Sequence, residues 1–191
     1  MFGSKDIMRR VQESGMTRRD CLRLGVASAT SLLALPVLAK STPAQERALS
    51  LYNTHTGENV SAAYWAEGGY IRTGLQDINT LLRDHRSGEI HPIDTDLLDL
   101  LYVMQQQVGS RKAYQIISGY RSPQTNAELR NKGGGVARRS YHMQGMAIDI
   151  RLPGCDLSQL HKAALDIKAG GVGYYPGSDF IHVDVGPQRS W

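Results

Sequence analysis

"SYHMQGMAIDI", Ser140–Ile150, sets a histidine (His142) and an aspartate (Asp149) seven residues apart, with small or apolar residues at Gly145, Ala147 and Ile148. A core strand has no need of an imidazole and a carboxylate, and a solvated loop would not be so apolar. "MAIDIRL" reads as a strand, which puts Asp149 mid-strand among apolar neighbours, where a carboxylate is costly to bury unless it is paired or metal-bound. The two side chains are too far apart for one helical turn. A turn at Gly145 and the strand after it must bring them together, with Ala147 keeping the neighbourhood thin. Histidine nitrogen and carboxylate oxygen are zinc ligands, and a catalytic zinc site takes three protein ligands and leaves a position open.

The third ligand is sought in "DFIHVDVG". His182 lies between β-branched Ile181 and Val183, and strand alternation puts His182 and Asp184 on one face with Ile181 and Val183 on the other. Alone, His182 reads as a hydrogen-bonded core histidine; together with His142 and Asp149 it completes a metal triad. The other histidines take ordinary places: His161 solvated on a helix, His85 and His91 flanking a loop, His55 in a hairpin turn.

Outward from these segments the chain alternates periodicities. "ALSLYNTHTGENVSAAYW" holds two apolar-alternating runs around a turn at Gly57, a hairpin. Leu75, Ile78, Leu81 and Leu82 recur at helical spacing, as do the leucines of "TDLLDLLYVMQQQVG", which starts near Thr95 and stops at Gly109. "AYQIISGY" is a short strand. "SPQTNAELRN" opens a helix with Ser122 as N-cap and Pro123 at its first position. "KGGGVARR" is a loop, "DLSQLHKAALDIKAG" a helix from Asp156 to a stop at Gly170, and "GGVGYY" and "DFIHVDVG" are strands joined through Pro176 and Gly177. Helices come mainly first and strands mainly later, which predicts an α+β fold: a small antiparallel sheet with flanking helices, covered on one face.

The chain has 191 residues, enough for one domain with an appendage. Its first 39 residues are of another kind. "MTRRDCLRLGVASATSLLALPVLAKSTPA" has a basic start, an apolar run from Leu24 to Leu38 and a small residue, Ala39, at its end, the layout of an export signal. Thr17-Arg18-Arg19 and Cys21-Leu22-Arg23 resemble the twin-arginine signal, which implies the twin-arginine export machinery as a partner. Residues 1–39 carry six of the 22 Lys/Arg and three of the 18 Asp/Glu, so removing them leaves 16 and 15 and lowers the net charge from +4 to +1. The basicity resides partly in the signal, and no nucleic-acid surface is implied. No permanent membrane span is expected either. Residues 40–47 read as a linker and 48–191 as the domain. Removal of the signal takes Cys21 away, and Cys155 is then left without a disulfide partner.

The pattern Ser140-x-His142-x-x-Gly145-x-Ala147-x-Asp149, followed by Asp179-x-x-His182, resembles the zinc peptidases that group lysostaphin, the D-Ala-D-Ala peptidases and the hedgehog signalling domain. "SGYRSPQTN", "SYHMQG", "GGVGYYP" and "FIHVDVGPQRSW" resemble the exported MepK-like (YcbK-like) murein endopeptidases among them, over about Ala48 to Trp191. The resemblance implies a hedgehog/D-Ala-D-Ala peptidase-like fold, Zn2+ held by His142, Asp149 and His182, a periplasmic setting, and a peptidoglycan cross-link peptide as substrate in cell-wall remodelling. It implies Asp179, three residues before the last histidine ligand, as general base. Strand alternation favours Asp184 instead, or a role for Asp184 in orienting His182. Arg121 resembles the arginine that stabilises the developing oxyanion; a salt bridge to a substrate carboxylate or a neighbouring Asp is its other reading. Ser140 would bind substrate or position His142. Tyr120, with Tyr174 and Tyr175, would line the cleft or pack in the core. A D,D-carboxypeptidase or dipeptidase on free wall peptides, and a non-catalytic zinc-containing wall-binding module, are the alternatives.

Overall fold

The computed structural model describes residues 46–133 and 135–191. The expected export signal (1–39), with Arg18, Arg19 and Cys21, and most of the 40–47 linker lie outside the described residues. Arg47 opens the first strand, and its guanidinium is buried against Asp99 at 2.8 Å.

Strands β1 (Arg47–Asn53) and β2 (Asn59–Ala66) form the expected hairpin. Asn53 closes it: its side-chain carbonyl accepts from the amides of His55 and Thr56, and Gly57 turns the chain at φ +76°. A two-residue strand, β3 (Gly69–Tyr70), extends β2. Helix α1 (Arg72–Leu81) buries Ile78 and Leu81. Helix α2 (Thr95–Gln107) is capped by Asp94, which accepts from the amide of Asp96, and buries Leu97, Leu98, Leu101 and Met104. Strand β4 (Tyr114–Ser118) leads to α3 (Pro123–Asn131), where the Ser122 hydroxyl accepts from Thr125 N as its pattern predicts. A single 3-10 turn (Tyr141–Gln144) precedes β5 (Ala147–Arg151). Helix α4 (Leu157–Ile167) ends earlier than its glycine suggests, because Lys168 takes the left-handed conformation. Gly170 is kept small by a close approach to the carbonyl of Asp184. The chain finishes with β6 (Gly171–Tyr175), a 3-10 turn (Pro176–Ser178), β7 (Phe180–Asp184) and β8 (Arg189–Ser190).

All eight strands join one sheet in the order β3-β2-β1-β4-β5-β7-β6-β8. The fold is α+β, but the sheet is neither small nor wholly antiparallel: β1 pairs with β4, and β6 with β8, in parallel. Nor do helices precede strands, since three strands come first and β4, α3, β5, α4 and β6 then alternate. Ile148 and Ile150 of β5 oppose Val183 and Ile181 of β7, and these four share the hydrophobic core with Leu160 and Ala164 of α4 and the leucines of α2. By alternation the other face of β5 and β7 carries Asp149 and His182. No helix among the described residues is long and apolar enough to cross a membrane.

Candidate metal centre

Asp149 and His182 are direct cross-strand partners in the β5–β7 ladder, so the sheet register itself sets one beside the other. His142 comes from the 3-10 turn before β5. Gly145 ends that turn at φ +66°, and its carbonyl accepts from Asp94 N. A side chain at this position would meet the Pro92 carbonyl, so glycine is required on both counts. The turn is also tied across, with Arg121 N donating to His142 O at 3.1 Å.

The three side chains converge. His182 Nδ1 lies 2.9 Å from Asp149 Oδ1, His142 Nε2 lies 3.3 Å from the same oxygen, and the two ring nitrogens are 3.3 Å apart. The ligand atoms fall within 4.8 Å of one another, and exposure is 3% for His142, 8% for Asp149 and 9% for His182. Each imidazole is held from behind. His142 Nδ1–H donates to the Gly119 carbonyl at 2.8 Å, and His182 Nε2–H donates to Asp184 Oδ2 at 3.0 Å. These bonds set the tautomers and aim His142 Nε2 and His182 Nδ1 inward as acceptors, the outer-shell arrangement of histidine metal ligands. Two acceptor nitrogens and a carboxylate oxygen crowded together in a buried spot demand a cation, and N,N,O is a fitting donor set for zinc.

Electrostatics agree. Burial alone would raise the Asp149 carboxyl, but when no metal is bound the imidazoles of His142 and then His182, in their protonated forms, attract it and hold it below the usual carboxylate range. Burial opposes charge on His182, yet its hydrogen bonds to Asp149 and Asp184 prevail and raise its pKa. Asp184 is fully buried and saturated: besides His182 it accepts from the amides of Gly171 and Gly186 and from both arms of Arg189, at 3.0 and 2.6 Å. Burial would raise its carboxyl, but these donors outweigh it and hold the group low.

The centre opens into a cavity of about 680 Å³ lined by Arg121, Arg139, Ser140, Tyr175, Phe180 and Trp191, among others. Arg121 Nη2 is 4.0 Å from Asp149 Oδ2 and 3.2 Å from Ser118 Oγ, while its buried Nε–H has no partner among the described residues. The junction that presents Arg121 is anchored by buried Asp84, which accepts from the amides of Ser122 and Arg86 at 2.9 Å each.

The family model described as "Peptidoglycan L,D-endopeptidase MepK" matches residues 41–191, most of the chain. The chain belongs to the MepK peptidase family. It is 47% identical over 175 residues to the Peptidoglycan L,D-endopeptidase MepK of Escherichia coli (strain K12), covering 91% of this chain and 96% of that one. It is 40% identical over 168 residues to the Probable peptidoglycan L,D-endopeptidase MepK of Haemophilus influenzae (strain ATCC 51907 / DSM 11121 / KW20 / Rd), covering 87% and 90%.

In this MepK-family chain the structure brings together His142, Asp149, His182, Arg121 and Ser140 around one cavity. It does not bring in Tyr120, which is buried, donates from its hydroxyl to Glu89 at 2.7 Å and stacks on His91. Strand β4 has ended before Tyr120, and the chain there turns the ring away from the cleft and into the core. Asp179 does not line the cavity either. It sits in the β6–β7 turn at φ +53°, with its side chain 65% exposed and Oδ2 accepting from Arg151 at 2.9 Å. Arg151 follows Asp149 by two residues and so projects from the same face, which leaves Asp179 at the border of the site. Asp184 stands behind His182. Tyr174 stacks on His161 at 4.6 Å, so His161 is not the solvated helix residue its sequence suggests. Sequence reasoning missed Phe180, Arg139, Arg189 and Trp191. For Arg189 and Trp191 the only signal was an arginine and a tryptophan soon after a ligand-bearing strand.

Proposed function

We propose that the chain is a zinc endopeptidase that hydrolyses peptide cross-links in peptidoglycan, acting in the periplasm after export by the twin-arginine route. One observation carries this reading: two inward acceptor nitrogens and a carboxylate, backed by Gly119 O and Asp184, face a peptide-sized cavity. Membership of the MepK family and the names of its relatives supply the substrate class. His142 Nε2, Asp149 and His182 Nδ1 would hold the ion, which when bound supplies Lewis acidity to water and to the scissile carbonyl.

The remaining work falls to side chains. Arg121 donates from its unpartnered Nε–H to the carbonyl oxygen as negative charge develops there, in a buried setting where such a bond counts heavily. Asp184 cannot carry a proton, because all its acceptor sites are occupied, and it holds His182 in orientation. Asp179, exposed at the border of the site and held there only by Arg151, would turn from Arg151 toward the centre to accept the proton of the attacking water and deliver it to the leaving amine as the C–N bond breaks. Ser140 lines the cavity beside His142 and contacts the substrate backbone.

The test is digestion of intact sacculi by the zinc-loaded chain lacking residues 1–39, read by mass spectrometry of the muropeptides. Cross-linked dimers should fall to monomers, EDTA should stop the reaction, and His142→Ala should be inert. Full activity in His142→Ala would refute the metal assignment. Release of terminal D-alanine from soluble pentapeptides with cross-links left intact would assign a carboxypeptidase instead.

A further inference from the structure

Most large apolar side chains are buried, yet Tyr175 and Trp191 stay exposed, Trp191 at 50%, and both line the cavity at the metal centre. Trp191 is held on several sides. Its backbone is zipped to β6, with Trp191 N donating to Val172 O and Tyr174 N donating to Trp191 O. Its indole N–H donates to Tyr175 Oη at 2.7 Å, and the Tyr175 ring stacks on Phe180 at 4.7 Å. The Arg189 guanidinium, forked onto Asp184, lies 5.1 Å from the Trp191 ring and 5.3 Å from the Tyr141 ring. Gly173 makes room beneath, since a Cβ there would stand 2.8 Å from the indole. The ring centroid is 5.3 Å from that of the ligand His182.

His182 does not need this ring for orientation, because Asp184 already provides it. A tryptophan so firmly placed and yet half wet is poor core packing, and an exposed aromatic patch beside a reactive centre marks a binding surface. The cleft has two kinds of lining. Arg121, just after β4, and Arg139, in the loop before the 3-10 turn, both line it, and Arg139 has no partner among the described residues. Tyr175 at the end of β6, Trp191 just after β8 and Phe180 at the start of β7 line it together, beside the metal ligands of β5 and β7. A substrate that joins carboxylates to a chain of methylenes matches both.

We infer that Trp191, with Tyr175 and Phe180, is an aromatic shelf that binds the aliphatic arm of the diamino acid at the cross-link, making Trp191 a specificity-determining residue; this rests on the peptidoglycan reading above. The arm lies across the indole while its carboxylate faces Arg139, which orients the scissile amide over the centre. Methylenes removed from water by an aromatic face contribute roughly 0.8 kcal/mol each, so losing the shelf should weaken binding about tenfold or more.

The experiment compares wild type, Trp191→Phe and Trp191→Ala, zinc-loaded, on purified cross-linked peptide dimers with and without their disaccharides. KM should rise about tenfold or more in Trp191→Ala and about threefold in Trp191→Phe, by the same factor on both substrates, with kcat falling less than KM rises. Binding is read separately in Trp65→Phe/His142→Ala, where Trp191 is the sole tryptophan of the chain. Its emission should shift as the sugar-free dimer is titrated in. An unchanged KM in Trp191→Ala, or a silent indole when calorimetry detects binding, overturns the shelf while leaving the endopeptidase reading intact. A KM defect seen only with disaccharide substrates also overturns it and gives the ring to the glycan. If wild type neither binds nor cuts either dimer, the peptidoglycan reading fails, and the shelf with it.

Discussion

Two imidazole nitrogens 3.3 Å apart, each turned inward by a hydrogen bond behind it, repel unless a positive charge lies between them. In the metal-free chain a proton on His182 Nδ1, donated to Asp149, would supply that charge, and the hydrogen bonds that raise this histidine's pKa favour it. Metal uptake must expel it. Calorimetry in buffers of different ionisation enthalpy should therefore detect proton release, and apparent affinity should climb with pH until His182 is neutral. The sign for stability is opposite. A raised histidine stabilises the metal-free fold fully below its unfolded pKa of about 6.5, and that contribution fades as pH rises through the folded value. Asp184→Asn should cost about 10–100-fold in metal affinity, since it removes the carboxylate behind His182. Asp179→Asn should leave metal affinity alone and lower kcat; an unaltered kcat would take the proton-transfer role away from it. Arg121→Lys should lower kcat about 100-fold with little change in KM. The convergence of His142, Asp149 and His182 was legible in the sequence because each is an ionisable group in an apolar setting. The placement of Asp179 at the border of the site and of Asp184 behind His182 was not, because a left-handed residue in the turn before β7 breaks the alternation on which such reasoning depends.

At the scale of elements, the β1–β2 hairpin is stapled to the turn after α1 by a stack of His55 on His85, centroids 3.9 Å apart, with His55 Nε2 donating to Ile117 O. Burial, with repulsion from His55 and Arg86, pushes His85 down to about 4. The unfolded chain takes up this proton near pH 6.5 and the folded chain only near 4, so stability falls as pH drops through that window. Urea melts at several pH values should show the slope, and His85→Asn should flatten it. At the open end of the hairpin, Asp99 is wholly buried and binds Arg47 and Tyr64 at 2.8 Å each. Asp99→Ala strands the guanidinium and should cost about 3–5 kcal/mol in the same assay. Helices, caps and longer strands could be read locally, from the spacing of Leu75, Ile78 and Leu81 or the Ser122-Pro123 start. Strands β3 and β8, two residues each, are too short to show a period. The parallel seam of β1 with β4 was hidden for another reason: alternation tells which face a residue takes, but not which distant strand lies beside it.

Over the whole molecule, the metal proposed for this centre would be a folding ligand as well as a reagent. It binds only the folded chain, so zinc at 100 times its Kd adds about 2.7 kcal/mol, which for a domain of this size raises Tm by roughly 5–10 °C. Scanning calorimetry with and without zinc should register that rise, and His142→Ala should abolish it. A further consequence comes from the pairing of Asp149 with His182 across β5 and β7, alongside Ile148 with Val183 and Ile150 with Ile181. Slip one strand past the other by a single residue and an isoleucine arrives where the carboxylate belongs, while the carboxylate is driven in among the helices. Oil and charge would then be misplaced in one stroke, so such a chain could neither capture its ion nor hide its grease. On the proposed zinc reading, uptake of the ion would therefore report that the two central strands had closed in step.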